Sequence, residues 1–135
     1  MQRLILFALI LSGCRAGNAP TQTSLYHGEG RDRLCVVPDG DGYRAGLIAY
    51  GAGDSNCSLS GRAAFDGRKL TMSPPGDPAC IVTATVAEGV ARVVPLAPSC
   101  AYYCAPGAEM SGRSFRKIVR GDPAEARDFA GDPLC

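Results

Sequence analysis

The chain has 135 residues, and its 14 Lys and Arg against 13 Asp and Glu leave it almost neutral. A chain without a basic field is not a nonspecific nucleic-acid binder, and this length corresponds to one domain. The 17 Gly and 10 Pro, in the absence of Trp, favour strands and tight turns over long helices.

Residues 1–13 have the three parts of a secretory signal peptide. Arg3 supplies the positive charge, residues 4–11 are all apolar, and Ser12 and Gly13 are small. The eight apolar residues are too few to span a bilayer, which takes about 20 residues in a helix. We therefore expect export and removal of residues 1–13. The loss of Arg3 leaves 13 basic against 13 acidic residues, so the mature chain is neutral.

The sequence Leu11-Ser12-Gly13-Cys14 resembles the lipobox of bacterial lipoproteins. The resemblance implies cleavage before Cys14, a diacylglyceryl thioether on its sulfur and an acylated N-terminus. A single acyl chain binds a membrane only weakly, but the several chains of a mature lipoprotein are enough for stable anchoring. An ordinary secretory signal, with Cys14 incidental or disulfide-bonded, is the alternative. Arg15 stands where aspartate would signal retention in the inner membrane, which favours the periplasmic face of the outer membrane.

The remaining chain divides into a tether and one domain. Residues 14–24 lack apolar periodicity and are expected to form the lipidated cysteine and a flexible tether, followed by a single β-rich domain at 25–135. Alternating apolar residues and turn signals predict three hairpins, at 34–50, 57–73 and 80–96. The Asp66-Gly67 pair suits a type I′ turn in the second hairpin. Three successive hairpins predict a mainly β fold, a small antiparallel barrel or sandwich.

The C-terminal part predicts a last strand and a short helix. Residues 114–119 form the strand candidate. The helix would run from Asp122 to Ala130, with Asp122 as N-cap, Pro123 in the first turn and Gly131 after its end. So short a helix is marginal alone, so we expect a disulfide to hold it on the barrel.

Seven cysteines support the export prediction. With Cys14 lipidated, an even number remains, which in a small exported domain predicts a framework of three disulfides. Zinc is the alternative, but it expects a closer pair of cysteines or a nearby histidine. We favour the pairs Cys57–Cys80, around the second hairpin, and Cys104–Cys135, which would fasten the tail. The six framework cysteines are Cys35, Cys57, Cys80, Cys100, Cys104 and Cys135.

Two small groups are candidates for binding. The segment Ser60 to Phe65 resembles the Ser-Gly segment of bacterial inhibitors of animal-type lysozyme, which are small periplasmic β-barrels and in some cases lipoproteins. The resemblance implies binding through Ser60 and Arg62; an outward arginine on a strand is the alternative. Tyr102 and Tyr103, between two cysteines, form the second group, because clamped aromatics can be binding hot spots. They can equally fill a core that lacks Trp.

Three further patterns point to catalysis or metal binding only weakly. His27 has no assignable nucleophile. Ser114 and Lys117 match the Ser-x-x-Lys motif of penicillin-binding enzymes without its companion motifs. Asp39 and Asp41 lack the later ligands of a calcium loop. We therefore predict no catalytic residue, no metal and no cofactor.

Taken together, these features resemble the small lipoproteins of Gram-negative bacteria. The sequence predicts a noncatalytic, lipid-anchored envelope protein with a structural or binding role. Its expected partners are the membrane, through Cys14, and an envelope protein, but not nucleic acid. The alternative is an inhibitor of an envelope-directed hydrolase such as lysozyme.

Overall fold

The computed structural model describes residues 22–135, which form a closed eight-stranded antiparallel barrel. Each strand pairs with the next along the chain, and β8 closes the barrel on β1. The strands are β1 (Ser24–His27), β2 (Arg33–Asp39), β3 (Gly42–Tyr50), β4 (Asn56–Phe65), β5 (Lys69–Ser73), β6 (Val82–Ala87), β7 (Val90–Val93) and β8 (Ser114–Lys117). The prediction of a β fold built from hairpins is confirmed, and the barrel is the form it takes. The predicted signal peptide, Cys14 and nearly all of the tether lie outside the described residues.

The three predicted hairpins correspond to β2–β3, β4–β5 and β6–β7. The turn chemistry differs from the prediction in one respect. A type I′ turn requires positive φ at both central residues. Glu88 and Gly89 meet this requirement, whereas in the Asp66-Gly67 pair only Gly67 has a positive φ. Instead, Asp66 Oδ1 accepts hydrogen bonds from the N–H groups of Arg68 and Lys69, each at 2.8 Å. These bonds shape a longer connection and lower the pKa of the Asp66 carboxyl.

Two packed layers stabilise the barrel. The strand residues that alternate inward fill its interior with apolar side chains, among them Leu34, Leu47, Leu70 and Phe115. Outside, the C-terminal tail covers the face of β1–β3. There Ala126 and Leu134 pack on Leu25, Cys35 and Ile48, all of which are buried.

The predicted C-terminal helix is wrong. Only Pro123–Glu125 forms a 3-10 turn, although Asp122 does cap it by accepting a hydrogen bond from Ala124 N–H at 2.9 Å. Beyond this turn the tail folds back on itself, and Leu134 N–H donates to the Ala126 carbonyl at 2.9 Å. This flat path lets both Ala126 and Leu134 reach the sheet, a contact that outweighs the weak preference of so short a segment for helix.

Three disulfides are present, but neither favoured pairing is correct. The bonded pairs are Cys35–Cys135, Cys57–Cys104 and Cys80–Cys100. The long β7–β8 connection contains a 3-10 helix at Pro98–Tyr103 and brings its two cysteines to the start of β4 and to the residues just before β6. Cys104 is therefore bonded to β4, and the tail is held by Cys35 on the outer face of β2.

In residues 22–135, no helix is long and apolar enough to cross a bilayer.

The two ends of the barrel differ. The tight hairpin connections and the N-terminal entry to β1 lie at one end, here called the hairpin end. The four other connections, at 28–32, 51–55, 74–81 and 94–113, lie at the opposite end, here called the loop end. Two disulfides, Cys57–Cys104 and Cys80–Cys100, fix the loop end. β1 begins at Ser24, one residue before the predicted start of the domain.

Candidate functional site

A groove on the side of the barrel is lined by Arg62, one of the four predicted binding residues. It has a volume of about 500 Å³ and lies between the outward side chains of Arg44 and Arg62 and the loop of residues 73–78. Ile81, which is 53% exposed, extends its apolar wall. The volume falls within the range of ligand-binding pockets in proteins, about 300–1,000 Å³.

Two arginines form the cationic side of this groove. Arg44 on β3 and Arg62 on β4 are directly paired in the sheet register, so their side chains emerge next to each other. Arg44 donates a 3.2 Å hydrogen bond to the Ser60 hydroxyl. Arg62 contacts Asp41 at 3.3 Å, but both side chains are exposed, at 71% and 99%. An ion pair this exposed contributes little and is easily exchanged for another partner.

Gly61 explains why the groove forms here. The backbone of Ser73 and Pro74 lies so close to Gly61 that a side chain would have no room. The absence of a Cβ lets the end of β5 cross beside β4 and places the proline-rich loop next to Arg62. The Ser-Gly-Arg segment is therefore a structural junction as well as a candidate binding element.

Tyr102 and Tyr103 lie in the 3-10 helix of the β7–β8 connection, beside the loop of residues 73–78 and outside the groove. Their rings meet edge to face, with centroids 5.2 Å apart, and Tyr102 is 87% exposed. The Tyr103 hydroxyl donates a 2.6 Å hydrogen bond to Asp77. This bond is the main reason that the pKa of Tyr103 is raised to about 12. Asp77 thus links the tyrosine pair to the groove, because it also lines the groove.

The remaining sequence candidates are not brought together. His27 contacts Glu125 at 3.2 Å, which joins β1 to the tail. Ser114 and Lys117 are three residues apart on one strand, so their side chains leave opposite faces and cannot form a catalytic pair. Asp39 and Asp41 are exposed around a tight turn. Within residues 22–135, no cluster of three or more His, Cys, Asp or Glu side chains has an arrangement that could hold a metal ion.

The Ser-Gly-Arg sequence of residues 60–62 recurs at residues 111–113, where it has a different role. Arg113 pairs with the buried Asp32 at 3.2 Å and donates a 2.9 Å hydrogen bond to the Tyr50 carbonyl. Asp32 also accepts a 2.8 Å hydrogen bond from Tyr50 N–H. This network ties the β7–β8 connection to the β1–β2 connection and to the end of β3 at the loop end, so residues 111–113 have a structural role.

Arg44 and Asp77 are the two charged groove residues that sequence reasoning missed. The alternation of β3 places Arg44 on the outer face, but its position opposite Arg62 depends on the β3–β4 register. Asp77 lies in a proline-rich segment whose sequence indicates only that the strand ends there.

No protein-family model, curated protein or solved structure matches this chain.

Proposed function

We propose that this protein is a lipid-anchored, noncatalytic binding domain of the bacterial cell envelope. The observation that carries the proposal is the polarity of the barrel. The chain enters β1 at the hairpin end, whereas the disulfide-fixed connections lie at the opposite end. A lipid on Cys14 would therefore hold the hairpin end towards the membrane and leave the loop end accessible.

The disulfide framework supports this environment. Cys35, Cys57, Cys80, Cys100, Cys104 and Cys135 are all paired, as is typical of a small domain in an oxidising compartment. Cys14, in the lipobox-like sequence, is the one remaining cysteine of the chain and is therefore available for lipidation.

Fatty-acid labelling tests the anchor. Cells that express the wild-type chain are grown with a labelled fatty acid, beside cells that express Cys14→Ser. We expect label in the wild type only, together with loss of residues 1–13. Equal labelling of the two chains, or none in either, would reject the lipid anchor.

A second proposed function is inhibition of an envelope-directed hydrolase such as lysozyme. Two observations favour it. Arg62 is exposed and lies near Ser60 on the outer face of a barrel strand. The closed barrel is also the fold that the resemblance to lysozyme inhibitors implies. The detergent-solubilised full chain is tested against several lysozymes, with Arg62→Ala and, as a control, Arg92→Ala. Loss of a binding hot spot costs about 2 kcal/mol or more, roughly thirtyfold in affinity. Failure to inhibit at high micromolar concentration would remove this function.

A further inference from the structure

We propose that the side groove binds the C-terminal carboxylate of an extended peptide, with the carboxylate between Arg44 and Arg62 and an apolar side chain against the loop 74–78 and Ile81. This inference deepens the proposed binding role by naming the class of partner. It does not depend on the lipid anchor or on lysozyme inhibition.

The first argument is the arginine pair itself. Like charges directly opposite each other on neighbouring strands destabilise a sheet. Within residues 22–135, no carboxylate lies within 4.0 Å of the Arg44 guanidinium, and the C-terminal carboxylate of Cys135 is not within that distance of either arginine. The half-buried Arg44 has only the neutral Ser60 hydroxyl as a side-chain partner. The exposed Asp41 pairs with Arg62 at 3.3 Å and not with Arg44. An anion that contacts both guanidinium groups would offset the repulsion between them, and arginine binds carboxylates with paired hydrogen bonds.

The second argument distinguishes a carboxylate from a phosphate. Phosphate sites in proteins commonly use several backbone N–H groups, from a helix N-terminus or a nest. The loop opposite the arginines contains Pro74, Pro75 and Pro78, which have no N–H. The Asp77 N–H is already bonded to the Pro74 carbonyl at 3.2 Å, which leaves Gly76 as the remaining donor of residues 74–78. The loop is thus an apolar wall, suited to the side chain next to a carboxylate.

The third argument is the charge gradient along the groove. Arg44 and Arg62 make one part cationic, and Asp77 makes the other part anionic. Because Asp77 accepts the Tyr103 hydrogen bond, its carboxylate is held in place. A peptide matches this gradient in one direction only, with its C-terminal carboxylate at the arginines. A second acidic group near Asp77 would be repelled.

The test uses the full chain, oxidised and solubilised in detergent, with N-acetyl-alanyl-alanyl-leucine as the probe. NMR titration compares this peptide with its C-terminal amide and with inorganic phosphate. We expect saturable shifts at the groove for the free acid, and binding at least about tenfold weaker for the amide. Equal binding of acid and amide, phosphate binding as tight as that of the peptide, or no binding of the free acid would overturn the proposal.

Two substitutions locate the site. Arg44→Gln and Arg62→Gln should each weaken peptide binding about tenfold or more. Arg92→Gln, which removes an exposed arginine on β7, is the matched control and should leave binding unchanged. Intact disulfides and an unchanged thermal transition show that each variant is folded. Peptide binding that survives both groove substitutions in folded protein would place the site elsewhere. Fatty-acid labelling is unaffected by any of these changes, so this inference and the lipid anchor fail independently.

Discussion

At the scale of single residues, Gly61 determines whether the groove can form. A side chain there would collide with the backbone of Ser73 and Pro74, which cannot move as freely as a flexible side chain. We expect Gly61→Ala to lower the free energy of unfolding by about 1–3 kcal/mol, the usual cost of overpacking. Gly42→Ala is the control, because the nearest atom to a new Cβ lies 3.6 Å away. Urea denaturation measures both, and equal stability of the two variants would contradict this explanation.

Arg113 is a second residue with a specific structural role. Its partner Asp32 has a side chain that is only 3% exposed, so removal of the guanidinium leaves a buried charge without its ion pair. We predict that Arg113→Met lowers the free energy of unfolding by about 3–5 kcal/mol. The exposed Arg92→Met should change it by less than about 0.5 kcal/mol. A loss at Arg113 as small as that at Arg92 would show that the pair is not stabilising.

The Tyr103–Asp77 hydrogen bond gives a pH-dependent signal. The bond requires the protonated phenol, which raises the pKa of Tyr103 from the ordinary value of 10.0 to about 12. Its contribution to stability is therefore complete below the unfolded-state pKa and is lost as the pH rises through about 12. In Asp77→Asn we expect the pKa of Tyr103 to fall towards 10.0, as followed by phenolate absorbance. An unchanged titration curve would mean that the bond does not form in solution.

At the scale of elements, the hairpins could be predicted because their signals are local. Alternation along β3 and the turn residues between β6 and β7 depend only on near neighbours in the chain. β1 is only four residues long and has no such alternation, so the sequence does not identify it as a strand. The C-terminal helix was predicted from genuine local signals, including the Asp122 cap. It does not form because Ala126 and Leu134 pack on the sheet, a long-range contact that local signals do not contain.

The C-terminal tail depends on the Cys35–Cys135 disulfide, which closes a loop of 100 residues. In the chain-entropy description, a closure of this length stabilises the fold by about 4.7 kcal/mol. We predict that Cys35→Ala with Cys135→Ala lowers the free energy of unfolding by about 4–5 kcal/mol and opens the tail, so that β1–β3 amides lose protection in hydrogen exchange. A tail that stays protected, with a loss below about 1 kcal/mol, would show that Leu134 and Ala126 hold it without the disulfide.

The same reasoning explains which part of the candidate site could be predicted. Ser60 and Arg62 can be identified from the sequence because they lie in one contiguous motif. Arg44 and Asp77 come from other elements, and their places in the groove depend on strand register and on the path of the loop past Gly61. The predicted disulfide pairs are wrong for a similar reason. Cys100 and Cys104 lie on a long connection, and no local sequence signal indicates its path across the loop end.

At the scale of the whole molecule, the proposed anchor and the disulfide-fixed loop end would lie at opposite ends of the barrel. The anchor would attach at the hairpin end, and closure by β8 on β1 leaves no open edge for pairing with other chains. The segment from Cys14 to β1 can extend by at most about 3.3 Å per residue, which would limit the distance of the barrel from the membrane.

One measurement tests this arrangement most directly. The full chain is bound to membranes that contain a paramagnetic lipid, and the broadening of each amide NMR signal reports its average distance from the lipid surface. We predict stronger broadening at the hairpin end, as at Gly67 and Gly89, than at the loop end, as at Gly53 and Ala101, and no broadening for Cys14→Ser. Absence of broadening in the wild type, equal broadening of Cys14→Ser, or stronger broadening at the loop end would contradict the account.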